Sequence, residues 1–427
     1  MEEVAPTYRS LFAKTDIKHV IGEVKGIDSP NNILHFSKSG NSAEKGKEDT
    51  ETLKYDMLVI ATGCSEPALT SMPNVSKYAL PFYTVEDCFK VKKELELIKS
   101  FKKNEAEVVV VGGGYAGVEL ALNIMEDLGG VESSATVVLV HRGENILGGA
   151  DEYTRSTSMD QLKRAGVKVM TSTSVTGATS FNSKNDPIPG ATMTGEDAIT
   201  MEQKKCNVLL GSTLSSSSEG TGEEKIEQSL SADLFLWTAG ASRQNIQEGA
   251  LNSILPRDTK GRILTGNTLQ VCDHPDVYVL GDLCRTIASG NKPSSILPAT
   301  ASVAMQQAPV VAWNIYATLN SQREGKIKRT DNNDELLPFD YVDLGNMMSL
   351  GSDEAVIVAG SGLGEKINRG EKKSQSKSSS LVKLNGLNAS LLRRVVYAVR
   401  MPTPQQALIA ARLGIGRKVV SLLQKDS

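Results

Sequence analysis

At 427 residues, 40% hydrophobic and 23% charged, with a formal net charge of -3, the chain is long enough for two or three full domain cores, and its charge balance gives no footing for a nucleic-acid partner. The five cysteines, Cys64, Cys88, Cys206, Cys272 and Cys284, stand at no ligand or redox spacing. No metal site is therefore expected, and they read as unpaired thiols of a reducing compartment. No apolar run approaches the roughly 18 residues that a membrane-spanning helix needs, and the acidic start Met1-Glu2-Glu3 carries neither a signal-peptide nor a transit-peptide pattern.

In chain order, residues 1–60 begin with a helix-like stretch, followed by expected strands at Ile17–Val24 and Asn32–Ser37. The polar segment Lys38–Thr52 reads as a flexible loop between hairpin strands. Met57–Ile60 reads as a buried strand, and Ala61-Thr62-Gly63 as a small-residue turn that lets backbone lie close to a planar ligand. Glu86–Lys103 is a charged helix that leads into the stretch Glu107–Glu119, EVVVVGGGYAGVE.

That stretch is the strongest signal in the chain. Val108–Val111 is a continuous apolar run, as expected of a strand buried on both faces of a parallel sheet. Gly112, Gly114 and Gly117 then fall at GxGxxG spacing, and Val118–Met125 continues as a helix. The first glycine permits the tight turn, the second lets backbone approach a pyrophosphate, and the third lets helix pack close to strand. A dinucleotide phosphate would sit on the helix amides and the positive end of the helix dipole. The next strand of a βαβ unit follows at Thr136–Val140.

Beyond it, Asp151–Ala165 is expected as a helix and Val167–Val175 as a strand. Residues 176–231 alternate short strands with low-complexity spacers, among them the run Ser215–Ser218, read as disordered surface insertions. The strand Leu234–Trp237 ends in Thr238-Ala239-Gly240, echoing the earlier turn. Two such turns, each closing a buried strand, give an α/β fold class with two interleaved Rossmann-like nucleotide-binding domains. Asp276–Asp282, DVYVLGD, is a strand that places Gly281 and a carboxylate at a sheet's C-terminal edge, where Asp282 could accept hydrogen bonds from ligand hydroxyls or cap the next helix. Pro298–Leu319 is helical in pattern despite Pro309, and a Gly/Pro/Ser loop, Ser289–Ser295, precedes it. Strands return over Phe339–Val358, and residues 361–380 read as a mobile loop.

The tail from Leu381 changes character, with eight basic residues against one acid, Asp426. On a helical wheel Leu408, Ala411, Ile415, Val419 and Leu422 share a face, with Arg417, Lys418 and Lys425 opposite and Arg412 out of place. That pattern suits an interfacial helix on an anionic membrane, where each cation contributes about 1 kcal/mol. The alternatives are packing on its own protein and a homodimer contact.

The ordered set YDMLVIATG, VVVVGGGYAGVELA, LFLWTAG and VYVLGD resembles the two-dinucleotide-domain flavoproteins. Within them, LPATASVAMQQAPVVAWNIYATLN (Leu297–Asn320), LPFDYVDLGNMMSLG (Leu337–Gly351) and the basic tail resemble the type II NAD(P)H:quinone dehydrogenases, which do not pump protons, and most closely their plastid and mitochondrial branch. The resemblance implies FAD and NAD(P)H as cofactors, and a membrane quinone of plastoquinone, ubiquinone or naphthoquinone type as acceptor. It implies a peripheral membrane location in a chloroplast, on a thylakoid or plastid lipid surface, or in a mitochondrion. It also implies a partial FAD-binding segment over residues 1–100, an NAD(P)H-binding domain over 101–240, a second FAD segment over 241–330, antiparallel strands and a loop over 331–380, and a membrane-associating tail over 381–427.

Carried over position by position, Gly112, Gly114 and Gly117 hold the nicotinamide dinucleotide, with the Gly240 turn beside them. Glu119 is an acid near flavin and nicotinamide, Gly281 and Asp282 bind the flavin's ribityl or phosphate region, and Ala61, Thr62 and Gly63 pack on it. Gln306 and Gln307 match the paired glutamines of the family's quinone-site motif, whose first glutamine is replaced here by Ser302. Two departures stand out. His141-Arg142 replaces the acid that pairs with ribose hydroxyls in NADH-preferring members, and Arg142 can bind a 2′-phosphate with charge-assisted bonds, which points to NADPH. Residues 1–50 contain no strand and glycine-rich turn for the FAD pyrophosphate, so the expectation is either an incomplete chain or a member that has lost a strong part of its flavin site. Competing readings are a disulfide reductase and an NADP-binding regulatory or assembly protein without flavin. The former is disfavoured because all four histidines, His19, His35, His141 and His274, precede the C-terminal domain that would supply its catalytic histidine.

Overall fold

The computed structural model describes residues 7–38, 50–64, 69, 72–102, 106–181, 205–212, 228–240, 255–287, 297–323, 336–360, 382–401 and 403–412. The chain forms two compact units. The first comprises Met1–Ser65 and Ala241–Val342, the second Glu66–Gly240 and Asp343–Ser427.

In the first unit a short helix α1 (Tyr8–Phe12) precedes an antiparallel sheet of β1 (Gly22–Asp28), β2 (Ile33–Lys38) and β3 (Thr50–Lys54). β1 starts later than the expected Ile17, because its pairing begins only at Gly22 opposite Lys38; Ile17, Val20 and Ile21 lie outside it and are exposed. β3 starts inside the segment read as a loop, whose residues 39–49 lie outside the described residues.

The unit's other sheet runs β16-β13-β14-β15-β4, with β4 at Leu58–Ile60, β13 at Ile263–Thr265, β14 at Gln270–Val271, β15 at His274–Val279 and β16 at Cys284–Thr286. β4 and β15 are parallel, with Val279 opposite Ile60. Alternation does the sorting. Val277 and Val279 pack with Ile27, Ile60 and Ile263, while Tyr278 faces the other way, against Val311 of helix α6 (Ala301–Arg323). Val59, opposite Tyr278, is 41% exposed, so β4 is covered on one face rather than buried outright; it is the edge strand of this sheet.

The second unit carries a five-stranded parallel sheet in the order β5-β12-β6-β7-β8. Its strands are β5 (Leu80–Pro81), β6 (Glu107–Val111), β7 (Thr136–Val140), β8 (Lys168–Met170) and β12 (Leu234–Trp237). On one face Val108, Val110, Val137 and Leu139 meet helix α4 (Tyr115–Asp127), helix α5 (Glu152–Arg164) through Leu162, and the Val91, Leu95 and Ile98 stripe of α3 (Val85–Lys102). On the other face Val109, Val111, Val138 and Val140 meet an antiparallel sheet of β9 (Thr173–Ser180), β10 (Cys206–Ser212) and β11 (Gln228–Ala232), and Val75 of the short helix α2 (Val75–Tyr78). Burial on both sides is why β6, β7 and β12 are continuous apolar runs.

The expected strand Val167–Val175 is two strands. Ser172 takes a left-handed conformation, φ 49°, which ends β8 in the parallel sheet and starts β9 in the antiparallel one. Of the expected spacers, residues 182–204 and 213–227 lie outside the described residues, as do residues 288–296 and 361–381. Residues 66–100 belong to the second unit rather than to an N-terminal flavin segment, because β5 pairs with β12 and α3 packs on the sheet.

The sheet β17 (Gly345–Ser349), β18 (Ala355–Ala359) and β19 (Lys383–Asn385) is antiparallel. It starts at Gly345 rather than at Phe339, whose amide instead donates to Asn267 O in the first unit. The tail does not begin as a separate module. β19 closes this sheet, and helix α7 (Gly386–Val399) buries Ala389 against Ala355 and Ile357. Helix α8 (Pro404–Ala411) follows, capped by the Thr403 side chain on the Gln406 amide. Residues 413–427, which complete the expected helical wheel, lie outside the described residues. Among the described residues no helix is long and apolar enough to cross a membrane.

Asn314 on α6 is fully buried. Its amide donates to the carbonyls of Thr268 (3.1 Å) and Leu337 (3.0 Å) and accepts from the Leu337 amide (2.8 Å). Asn314→Ala strands three backbone groups at once, so we expect a loss of at least about 2 kcal/mol, read as a lower denaturant midpoint with an unchanged slope.

Candidate functional site

The junction of β6 and α4 is built around close backbone approaches. Gly112 turns the chain with φ +119°, and a Cβ there would lie 2.5 Å from Thr238 Oγ1 and 2.9 Å from the Ala239 nitrogen. A Cβ on Gly117, in the first turn of α4, would collide with the Gly112 carbonyl oxygen. The turn is held from several sides. The Gly112 amide donates to Val140 O (2.9 Å), the Thr238 amide and hydroxyl to Val111 O (2.8 and 2.9 Å), and the Leu147 amide to Gly113 O (2.7 Å). The small-residue turn Thr238–Gly240 is thus a wall of the glycine turn.

Gly114 differs from its neighbours. It is the N-cap of α4, no side chain caps that end, and a Cβ built on it would meet nothing within 4 Å. Open space beside uncapped amides at a helix's positive end has the chemistry to accept an anion.

At the end of β7, His141 turns inward. Its Nδ1 accepts from the Gly113 amide at 3.1 Å, and the ring fills the space where Cβ atoms on Gly113 or Gly143 would lie, 2.7 Å from Cγ and 2.9 Å from Nε2. Burial, reinforced by the Arg142 charge, holds its pKa below the ordinary 6.5 against a hydrogen bond to the Asn145 backbone. The neutral ring with an acceptor Nδ1 is therefore the stable form. Arg142 is exposed in the loop that follows.

In the first unit, Ala61–Gly63 and Gly281–Asp282 follow the adjacent parallel strands β4 and β15. They form one ledge at the C-terminal edge of that sheet, where an α/β sheet binds its ligand. The Gly281 amide donates to Gln307 Oε1 at 2.7 Å, and Gln307 is 1% exposed. Gln306 accepts from the Val342 amide (3.1 Å) and donates to the Val342 carbonyl (3.0 Å). Both glutamine amides are thus engaged by the protein itself.

Glu119 is also occupied. Its Oε1 accepts from the Ser349 amide (2.7 Å) and hydroxyl (2.9 Å) and lies 3.6 Å from Arg393 of α7. It ties α4 to β17 and α7. Ser349 carries no sequence mark, and the contacts of Thr238 and His141 with the glycine turn are not read from their motifs, since each acts on a backbone group or a side chain distant in sequence.

Residues 8–308 match the pyridine nucleotide-disulphide oxidoreductase family. The chain belongs to that family. It is 30% identical over 407 residues to demethylphylloquinone reductase NdbB of Synechocystis, an alignment spanning 95% of this chain and 80% of that protein. It is 32% identical over 410 residues to the alternative NAD(P)H-ubiquinone oxidoreductase C1, chloroplastic/mitochondrial, of Arabidopsis thaliana, spanning 94% and 67%. In fold it is similar to NDH2 from Plasmodium falciparum, solved in complex with NADH, with a TM-score of 0.65 at 15% identity over 93% of this chain and 83% of that one. None of the five cysteines is disulfide-bonded to another.

The three glycines separate by what they touch. Gly117→Ala, pressed on the Gly112 carbonyl, should lower the melting temperature along with nucleotide binding. Gly114→Ala, facing open space, should leave melting unchanged and weaken NADPH binding by about tenfold or more, checked by titration calorimetry beside a thermal melt.

Proposed function

We infer that this protein is an NAD(P)H:quinone oxidoreductase of the type II, non-proton-pumping kind, with FAD and a nicotinamide dinucleotide as cofactors. The observation that carries this reading is the anion seat at Gly114, walled by Thr238 and His141, in a chain whose relatives at 30% and 32% identity are both named for quinone reduction. Bound flavin supplies the redox chemistry, taking a hydride from the reduced nicotinamide and passing electrons to the quinone.

The chain's own residues bind and orient. The α4 amides and the Gly112–Gly117 turn take the pyrophosphate. Arg142, exposed after β7, takes the 2′-phosphate of NADPH with charge-assisted bonds. His141 faces the glycine turn, so no second-strand acid stands where a 2′-phosphate would be repelled. Glu119 fixes the first turns of α4 through Ser349 and Arg393. On the flavin side, Ala61–Gly63 and Gly281–Asp282 form the ledge at which the ribityl chain and ring are held. These residues fit one side of that group, and among the described residues the first unit contains no second strand, glycine turn and helix. Gln306, the less buried of the two glutamines, is the group we assign to the quinone carbonyl.

The acceptor is a membrane quinone, and the proposed location is the surface of a chloroplast or mitochondrial membrane. What supports membrane docking is α7 and α8. Leu392, Val395, Val399 and Leu408 are exposed, the last two by 76% and 72%, and Arg394 and Arg400 stand among them. Apolar side chains beside cations suit an anionic lipid surface.

Purified protein should be yellow and should oxidise NADPH when a short-chain benzoquinone or naphthoquinone is added; a colourless protein that leaves NADPH untouched refutes the reading. Arg142→Glu should move the NADPH-to-NADH preference towards NADH by about tenfold or more, and unchanged selectivity would remove Arg142 from that role. For docking, removal of residues 381–427 would also delete β19, so Val399→Asp with Leu408→Asp is the cleaner change. It should weaken co-sedimentation with anionic liposomes while leaving NADPH oxidation with a soluble quinone intact.

A further inference from the structure

We propose that Gln307 is a positioning residue for the flavin-side turn Gly281–Leu283, and that its contribution to the reaction is to hold this turn rather than to contact quinone. The inference rests on the flavin reading given above and assigns the two neighbouring glutamines different work.

The turn has a specific need. Gly281 begins a single 3-10 turn, Gly281–Leu283, with φ +74°. A Cβ there would lie 3.6 Å from the Ala304 Cβ, an ordinary contact, so backbone conformation rather than crowding is what calls for glycine. The first amide of such a turn has no partner within it. Gln307 supplies one from two turns inside α6, through Oε1 at 2.7 Å.

Gln307 is 1% exposed, and its hydrogen bond to the Gly281 amide is made from inside the protein. The side chain therefore ties helix α6 to the start of the segment that carries Asp282. At 1% exposure the side chain offers a quinone oxygen almost no accessible surface. Gln306, one position back, lies about 100° around the helix and clasps the Val342 backbone instead.

The test uses the flavin-loaded protein and three variants. Gln307→Met keeps the length and loses the acceptor, Gln307→Glu keeps an acceptor oxygen at the same reach, and Gln306→Met removes the neighbouring clasp. Flavin retention on dilution, followed by the fluorescence of released FAD, is the first readout. The KM for quinone is the second, and NADPH binding is the control for folding of the other unit.

We expect Gln307→Met to weaken flavin retention by about tenfold, with the flavin absorption bands shifted. Gln307→Glu should recover most of that loss. Gln306→Met should keep flavin within about twofold of wild type, inside the range of a lost solvent-reachable bond, while the quinone KM rises. Wild-type flavin retention in Gln307→Met, or equal flavin loss in Gln306→Met, overturns the positioning role while leaving the flavin reading intact. A wild-type protein that binds no flavin overturns both. If Gln307→Met yields no folded protein, Gln307→Glu decides: retained flavin supports the role, and flavin lost from a folded protein overturns it.

Discussion

The contact on which the second unit depends is the approach of Gly117 to the Gly112 carbonyl. It sets how closely α4 lies against β6, and that closeness delivers Val118, Ala121 and Leu122 into the core. Burying a side chain of the size of Val118 or Leu122 stabilises the fold by about 1.5–3 kcal/mol. The same closeness aims uncapped amides outward at Gly114. Stability and ligand seat are consequences of one geometric requirement, and a single methyl group at position 117 would disturb both.

Much of this was legible in the sequence where the physics is local. β6, β7 and β12 are continuous apolar runs because both their faces are covered, and β7 and β12 begin and end where the pattern says. The α5 boundaries follow from Asp151, whose side chain accepts from the Tyr153 and Thr154 amides. Where pairing with a distant partner decides, the sequence is silent. Nothing in Val167–Val175 marks Ser172 as the place where the chain changes sheets. The three-residue strand Lys383–Asn385 lies in a stretch whose basic charge suggested a separate tail. The division into units likewise turns on β5, two residues long, pairing with β12.

The candidate site divides in the same way. The glycine spacing was readable because it answers to backbone sterics at fixed offsets. The company around it was not. His141 was read as a departure from an acid at the nucleotide's ribose, whereas its ring serves the Gly113 amide. Gln306 and Gln307 were read as a pair, yet a step of one residue around α6 sends them to different backbone partners. Glu119 was placed by a motif and is found shared among three elements through Ser349 and Arg393. A motif names the residue types; long-range hydrogen bonds decide what each side chain is free to do.

The position of β19 bears on how the chain is made. The second unit's sheet of β17, β18 and β19 and the α7 helix packed on it come from residues after Asp343, while its parallel sheet is complete by Trp237 and the whole segment Ala241–Val342 belongs to the other unit. During synthesis from the N-terminus, the glycine turn would emerge early with Glu119 and Glu126 waiting for Ser349 and Ser352. The ribosome must deliver about a hundred intervening residues of the other unit before those acids find their partners. A nascent chain stalled in that interval would present a finished glycine turn on a helix whose two acids still lack their hydroxyl and amide partners.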